Sequence, residues 1–205
     1  MPASQTAPET FVYELDASDR IQAVNDAWDA FARDNGAPDL AREQVVGTTL
    51  WRFISDPHTV DLYRLLLERL RHTHRPIEFD YRCDSPDCRR YLHMKVEPIG
   101  DGAVRFISRL DRTEPRQAVG ALDPNLPRHP GVLSMCSICK RIRSGRHDWV
   151  PIEEALNTFE TMQRDRPPSV AQGVCPDCSQ RIGEQCQQMT KDAQSMFDNL
   201  RSQSS

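Results

Sequence analysis

Hydrophobic residues recur at every second position between residues 77 and 110, with charged residues between them. Turn-forming residues at 84–87 and 100–102 divide this stretch into three segments. A period of two sustained over three segments predicts an antiparallel sheet with one buried face. The residues predicted to face inward are Ile77, Phe79, Tyr81, Cys83, Cys88, Leu92, Met94, Val96, Val104, Phe106 and Leu110.

Two strands and two helices are predicted before this sheet segment. Residues 11–15 alternate as a strand, and residues 21–24 form a second strand after a turn. Asn25 can cap the first helix, and Ser55 or Asp56 can cap a longer one, with a proline at its first position. The apolar residues of the two helices are Trp28, Phe31, Ala32, Leu62, Leu65, Leu66 and Leu70.

This order of two strands, helices and three strands resembles a PAS domain, a sensory fold, over residues 9–112. The motifs that carry the resemblance lie at 13–16, 21–25, 47–51 and 54–58. It implies an α+β fold with a five-stranded antiparallel sheet, whose inner face either binds a small ligand or is plainly packed. The residues of that possible pocket are Trp28, Phe31, Phe79, Tyr81, Leu92, Met94 and Phe106. Haem would need an inward histidine, and His93 is predicted to face outward.

A proline-rich segment at 113–131 is typical of a linker. It predicts a second unit at 132–200, formed by a small module and a C-terminal helix. Apolar residues in that helix recur every seven residues, as in helices that pack along a partner helix. The partner is either a second copy of the chain, giving a homodimer, or the helix's own module. The positions are Ile182, Cys186, Met189, Ala193, Met196 and Leu200.

Two Cys-x-x-Cys pairs, Cys136 with Cys139 and Cys175 with Cys178, lie in this second unit. Two such turns can complete a tetrahedral four-cysteine shell, which suits structural zinc. A redox dithiol or four ordinary buried cysteines are the alternatives, and Cys186 or His147 could replace one ligand. Residues 132–183 are similar to a zinc-finger-like module at the ends of bacterial sensory and response-regulator proteins.

Four basic residues follow the first pair and form either an anion or acidic-partner site or a counter-charge to the zinc thiolates. They are Lys140, Arg141, Arg143 and Arg146. Cys83 and Cys88 flank a predicted hairpin loop and are expected to face the same side. Opposed positions there lie about 4.5–5.5 Å apart, which permits a reversible redox pair, or else two small core residues.

Charge and composition narrow the range of functions that the sequence is compatible with. The chain has a net charge of -4, and residues 131–205 carry nine basic and nine acidic residues, which disfavours nucleic-acid binding. No secretory signal or membrane-length apolar run is present in the sequence, so we expect no membrane association and a cytoplasmic location. No spacing links acidic, basic and nucleophilic residues into a catalytic set, so we expect no enzyme.

The sequence therefore predicts a bacterial cytoplasmic signal-transduction adaptor. Its PAS-like domain would sense a ligand, a redox state or a partner, and its zinc module would relay the signal to a signalling protein by contact. The alternative is a zinc-finger transcriptional regulator that binds DNA. A third possibility is an enzyme that uses the cavity of the PAS-like domain.

Overall fold

The computed structural model describes residues 9–145, 148–158 and 165–203. Its first unit is a five-stranded antiparallel sheet with helices on one face, which confirms the predicted fold class. The strands lie in the order β2-β1-β5-β4-β3. They are β1 (Thr10–Leu15), β2 (Ile21–Val24), β3 (Ile77–Arg82), β4 (Cys88–Gly100) and β5 (Ala103–Pro115).

Three helices belong to this unit, and a side-chain cap begins the two longer ones. They are α1 (Asp26–Asp34), the short α2 (Arg42–Val45) and α3 (Pro57–Thr73). The Asn25 side chain accepts the N–H of Trp28 at 3.0 Å, and the Asp56 side chain accepts the N–H of Thr59 at 2.8 Å. Both caps satisfy backbone donors that a helix start leaves free. Asp56 is thus the cap of α3, which the sequence left open between two residues.

The inner face of the sheet has the predicted periodicity. Seven of the predicted positions are buried, and all of them except Leu92 pack in one cluster with Leu62, Leu66 and Leu70 of α3. Tyr81, Cys83, Cys88 and Leu110 are only half-buried. The buried sheet positions are Ile77, Phe79, Leu92, Met94, Val96, Val104 and Phe106.

A second sheet, which the sequence did not predict, lies in the C-terminal half. Its strands are β6 (His129–Cys136), β7 (Ile142–Arg143), β8 (Trp149–Val150) and β9 (Pro168–Gly173), in the order β8-β7-β6-β9. β6 and β9 are parallel. The short helix α4 (Ile152–Thr158) lies between β8 and β9 in sequence. A small core beside it contains Val119, Ala121, Met135, Ile142, Ile152 and Ala155.

The segment predicted as a linker is packed rather than extended. β5 continues to Pro115, Val119 and Ala121 are buried, and β6 begins at His129. The prolines limit regular structure there, but the small apolar residues between them still enter the core. The domain boundaries at 113 and 131 stay a prediction.

The two halves share one main core, although the sequence predicted a second unit joined to the first by a linker. The last helix, α5 (Pro176–Gln203), packs along α3. Its residues Ile182, Cys186 and Met189 lie in the same buried cluster as Leu70 and Ile77. The first half of the predicted heptad stripe therefore packs within the chain. Within the described residues, no helix is long and apolar enough to cross a membrane.

Candidate functional site

The first Cys-x-x-Cys turn closes the hairpin between β6 and β7. Cys136 donates its N–H to the carbonyl of Arg141 at 2.8 Å, and Lys140 donates its N–H to the carbonyl of Cys136 at 2.9 Å. Lys140 has φ of 61°, in the left-handed region, which lets the chain reverse within four residues. This turn places the side chains of Cys136 and Cys139 on the same side of the hairpin end.

The second Cys-x-x-Cys turn forms the start of α5. Cys175 precedes Pro176, the first residue of the helix, and Cys178 lies in its first turn. The parallel pairing of β6 with β9 brings the two turns side by side, because Cys136 is in register with Gly173. The N–H of Cys175 also donates to the sulfur of Cys136 at 3.4 Å.

The four sulfurs form a compact cluster. All lie within 4.8 Å of one another, and the sulfurs of Cys139 and Cys175 are 3.7 Å apart. With metal–sulfur bonds of about 2.3 Å, the edge of a tetrahedron of sulfurs is about 3.8 Å, so the spacing fits a tetrahedral metal. Cys136, Cys175 and Cys178 are buried, whereas Cys139 is only half-buried. All seven cysteines are free thiols.

Electrostatics in the cluster favour a bound cation. Hydrogen bonds from Cys139 and Cys178 lower the pKa of the Cys136 thiol. The pKa of Cys178 is raised, chiefly by its hydrogen bonds to Cys136 and Cys139, and the same contact with Cys136 raises the pKa of Cys139 to about 12. One thiolate is therefore tolerated alone, but ionising the others needs positive charge at their centre.

Three of the basic residues beside the cluster have partners in the chain. The Lys140 ammonium donates to the carbonyl of Ser137 at 2.8 Å, and burial lowers its pKa. Arg141 pairs with Asp177 on the first turn of α5. Arg143 donates to the carbonyl of Gly145 at 3.1 Å.

The sequence left open whether Cys186 or His147 replaces one of the four cysteines as a metal ligand, and the structure answers this in part. Arg146 and His147 lie outside the described residues. Cys186 is fully buried in the main core and is not one of the four clustered cysteines, so it keeps its predicted place in the apolar stripe. Burial raises the pKa of its thiol.

A cavity of about 250 Å³ lies between α1 and the inner face of the first sheet. Four of the seven predicted pocket residues line it, namely Trp28, Phe31, Tyr81 and Leu92. The other three are packed in the core and do not line it. They are Phe79, Met94 and Phe106.

Three polar residues in the cavity wall were not predicted as pocket residues: Asn35, Cys83 and Ser108. Burial raises the pKa of Tyr81, whose side chain is hydrogen-bonded to Ser108. The side-chain oxygen of Asn35 accepts from Arg90 at 3.0 Å. Period-two alternation placed Cys83 on the inner face, whereas the inward position of Ser108 was not predicted; the cavity shows that both residues line it.

Cys83 and Cys88 are not directly opposed in the hairpin, which corrects the expected register. The N–H of Cys83 donates to the carbonyl of Arg90, and Ser85 is the bridge partner of Cys88. The tight turn at 85–88 shifts the pairing by two residues. The redox pair stays a prediction.

The end of β3 contacts the first Cys-x-x-Cys turn directly. The backbone N–H of Arg82 donates to the carbonyl of Ile138 at 2.8 Å. Tyr81 and Cys83, on either side of Arg82, line the cavity. The end of β3 therefore contacts both places: Tyr81 and Cys83 line the cavity, and Arg82 between them is hydrogen-bonded to the cysteine turn.

A buried charge network surrounds this contact. The carboxylate of Asp84 is fully buried and pairs with Arg82 and, at 3.0 Å, with Arg116, whose side chain is 2% exposed. Glu153 of α4 accepts from Arg82 at 2.9 Å and from Arg89 at 2.7 Å. Burial acts to raise the pKa of Glu153, but the hydrogen bonds from Arg82 and Arg89 prevail and lower it to about 2. The network joins the first sheet, the segment that was predicted as a linker and the C-terminal half.

Comparison with known proteins finds distant structural likenesses. A domain of an HTR-like protein from Haloarcula marismortui is 15% identical, with 51% of this chain and 99% of that chain covered and a TM-score of 0.37. The photoactive yellow protein domain of the sensor histidine kinase Ppr from Rhodospirillum centenum is 15% identical, with 53% and 97% covered and a TM-score of 0.36. No protein-family model and no curated protein matches the chain.

Proposed function

We propose that this protein is a sensory adaptor that binds a small ligand between α1 and the first sheet and relays the change through a zinc centre to a protein partner. The observation that carries the proposal is the end of β3. Tyr81 and Cys83 border the cavity, while Arg82 between them holds the carbonyl of Ile138 in the cysteine turn. The proposal involves binding and relay without catalysis.

The metal is zinc in this proposal because of the donor set. Four thiolates suit zinc, iron or copper(I), and zinc is the ion that most often serves as a structural centre in such a shell. Four protein ligands leave no open position, so the ion stabilises the fold rather than activating water. Its binding would contribute about 10–16 kcal/mol to folding of the cysteine turns, as in zinc-finger peptides.

Elemental analysis of the purified chain tests the metal. We expect one zinc per chain, lost in Cys178→Ser and retained in Cys88→Ser, which changes a cysteine outside the cluster. Stoichiometric iron, or full zinc content in Cys178→Ser, would contradict the assignment.

The ligand of the cavity is small and largely apolar. The cavity wall is mostly aromatic and aliphatic, and Asn35, Tyr81, Cys83 and Ser108 contribute polar groups to it. A volume of about 250 Å³ is below the range of drug-sized pockets, about 300–1,000 Å³, so a compact molecule with one polar group fits best.

Filling the cavity tests the relay without knowledge of the ligand. Ala32 of α1 is buried in the cavity wall, whereas Ala30 on the same helix is exposed. Ala32→Leu adds contacts that hold Tyr81 and Cys83 in place and thereby steady β3. We expect zinc transfer to a chelator to slow by about fivefold or more, which corresponds to a coupling of about 1 kcal/mol.

Ala30→Leu is the matched control, because it makes the same change on the same helix outside the cavity. Zinc transfer from this variant should proceed at the wild-type rate. Equal rates in Ala32→Leu and Ala30→Leu would refute the relay while leaving the zinc assignment intact.

A further inference from the structure

The four cysteines differ in their access to solvent. Cys136 is 0%, Cys175 is 1% and Cys178 is 5% exposed, whereas Cys139 is only half-buried. A second cavity, of about 190 Å³, is lined by residues of β3, β4, β5 and α5 and has Cys139 in its wall. It is distinct from the cavity beside α1, although Tyr81 and Leu92 contribute to both. Small polar molecules can therefore reach one sulfur of the centre.

The wall of this second cavity carries charged side chains of both signs among apolar ones. Arg82, Arg112 and Arg181 line it together with Asp80 and Asp111. Each arginine has a partner in the chain; for example, Arg181 of α5 donates to the carbonyl of Asp80 at 3.3 Å. Since the basic and acidic groups nearly balance, the cavity admits neutral polar solutes as readily as anions.

We infer that Cys139 is the oxidant-accessible sulfur of the metal centre, and that hydrogen peroxide or a small hydroperoxide converts the centre to a disulfide and releases the metal. The inference rests on the proposed zinc centre. Metal binding keeps the thiols deprotonated, and the thiolate is the form that attacks peroxide. Accessible thiolates are oxidised before buried ones.

The chemistry balances with the peroxide as the only oxidant. The Cys139 sulfur attacks one peroxide oxygen, the S–O bond forms, the O–O bond breaks, and the departing hydroxide takes a proton to become water. The Cys175 sulfur, 3.7 Å from that of Cys139, then displaces the second hydroxide, which also becomes water. Two electrons pass from the two thiolates to one peroxide, and a zinc ion held by the four cysteines would lose two of its ligands.

The disulfide would cross-link the two cysteine turns that zinc held. The position of Ile138 then depends on the new link, and with it the hydrogen bond from Arg82. A thiol reductant and zinc would restore the original centre. The cysteine turns would then respond to peroxide through the same hydrogen bond from Arg82 that links them to the cavity beside α1.

The experiment treats the full-length, zinc-loaded chain with hydrogen peroxide. Zinc release is followed with a chromogenic chelator, and a sulfenic-acid trap with peptide mapping identifies the oxidised residue. We expect the trap to label Cys139 first, zinc release to follow, and the final disulfide to join Cys139 with Cys175. First labelling at Cys136, Cys175 or Cys178, or oxidation of Cys83 and Cys88 with zinc retained, would overturn the inference.

A variant that keeps all four ligands tests access itself. Arg181→Ala removes a side chain from the cavity wall, and Lys191→Ala changes an exposed position farther along the same helix. We expect peroxide-driven zinc release to accelerate at least about twofold in Arg181→Ala, because thiol oxidation follows access to the sulfur, and to stay unchanged in Lys191→Ala. Equal rates in the two variants would contradict the role of the cavity.

A measurement without peroxide separates this inference from the proposed function. Zinc transfer to the chelator alone should be the same in Arg181→Ala and wild type. A purified protein without zinc would refute the metal assignment. A zinc protein that resists peroxide would refute only the oxidation.

Discussion

Replacement of Asp84 by asparagine tests the buried charge network that joins the two halves. Asp84→Asn keeps the shape of the side chain and removes its charge. The carboxylate has no exposed surface, and the Arg116 side chain that pairs with it is 2% exposed. The variant therefore leaves a buried guanidinium whose other contacts are the carbonyls of Ser85 and Pro86 and a Glu153 oxygen 3.8 Å away.

The expected loss of stability is large. Removing one partner of a buried ion pair costs about 3–5 kcal/mol, because the remaining charge stays desolvated. Arg82 is affected less, since it retains Glu153. We therefore place the decrease in the free energy of unfolding near the lower end, at about 3 kcal/mol. That is a substantial share of the roughly 5–15 kcal/mol that stabilises a typical domain.

Urea denaturation followed by tryptophan fluorescence measures this loss. Trp28 and Trp51 report on the first unit, and Trp149 reports on β8, so loss of the shared core should appear as one transition at lower urea concentration. Asp101→Asn, at the exposed tip of the β4–β5 hairpin, is the matched control. An unfolding midpoint for Asp84→Asn equal to that of Asp101→Asn would refute the reasoning.

Two further predictions concern Glu153 and the terminal helix. The pKa of Glu153 is lowered to about 2 in the folded protein, so its contribution to stability is present above its ordinary pKa and is lost as the pH falls toward 2. When unfolding is measured across this pH range, the wild type should lose about 1–2 kcal/mol of stability after allowance for solvent screening, and Glu153→Gln should lose less. We also predict a homodimer in which the part of α5 beyond its packed first half contacts a second copy of the chain. Truncation after Asp192 should convert the dimer to a monomer in light scattering while zinc is retained, and an unchanged dimer would place the interface elsewhere.

Local chemistry explains what the sequence predicted. Strict alternation fixed the three strands β3, β4 and β5, and the caps Asn25 and Asp56 fixed the starts of α1 and α3. The clustering of the four cysteines was equally predictable, because the Cys-x-x-Cys spacing sets the geometry of each turn. These features depend on residues that are neighbours in the chain.

Non-local contacts explain what the sequence did not predict. β9 is short and does not alternate cleanly, and it is a strand only because it pairs with β6, more than thirty residues earlier. The prolines between 113 and 131 indicated a linker, yet Val119 and Ala121 are buried by the second sheet and α4. In the sequence, Asp84 and Arg116 look like ordinary surface charges. Only the fold brings the two side chains together as a buried ion pair.

Hydrogen exchange after zinc removal tests most directly the claim that the cysteine turns and the first sheet are coupled through β3. The full chain is compared with and without zinc by mass spectrometry. We predict faster exchange in residues 77–83 as well as in the two cysteine turns, because the bond from Arg82 to Ile138 would lose its fixed acceptor. Residues 10–15 of β1 serve as the internal reference and should change least. Faster exchange confined to residues 132–183, with β3 unaffected, would contradict the account.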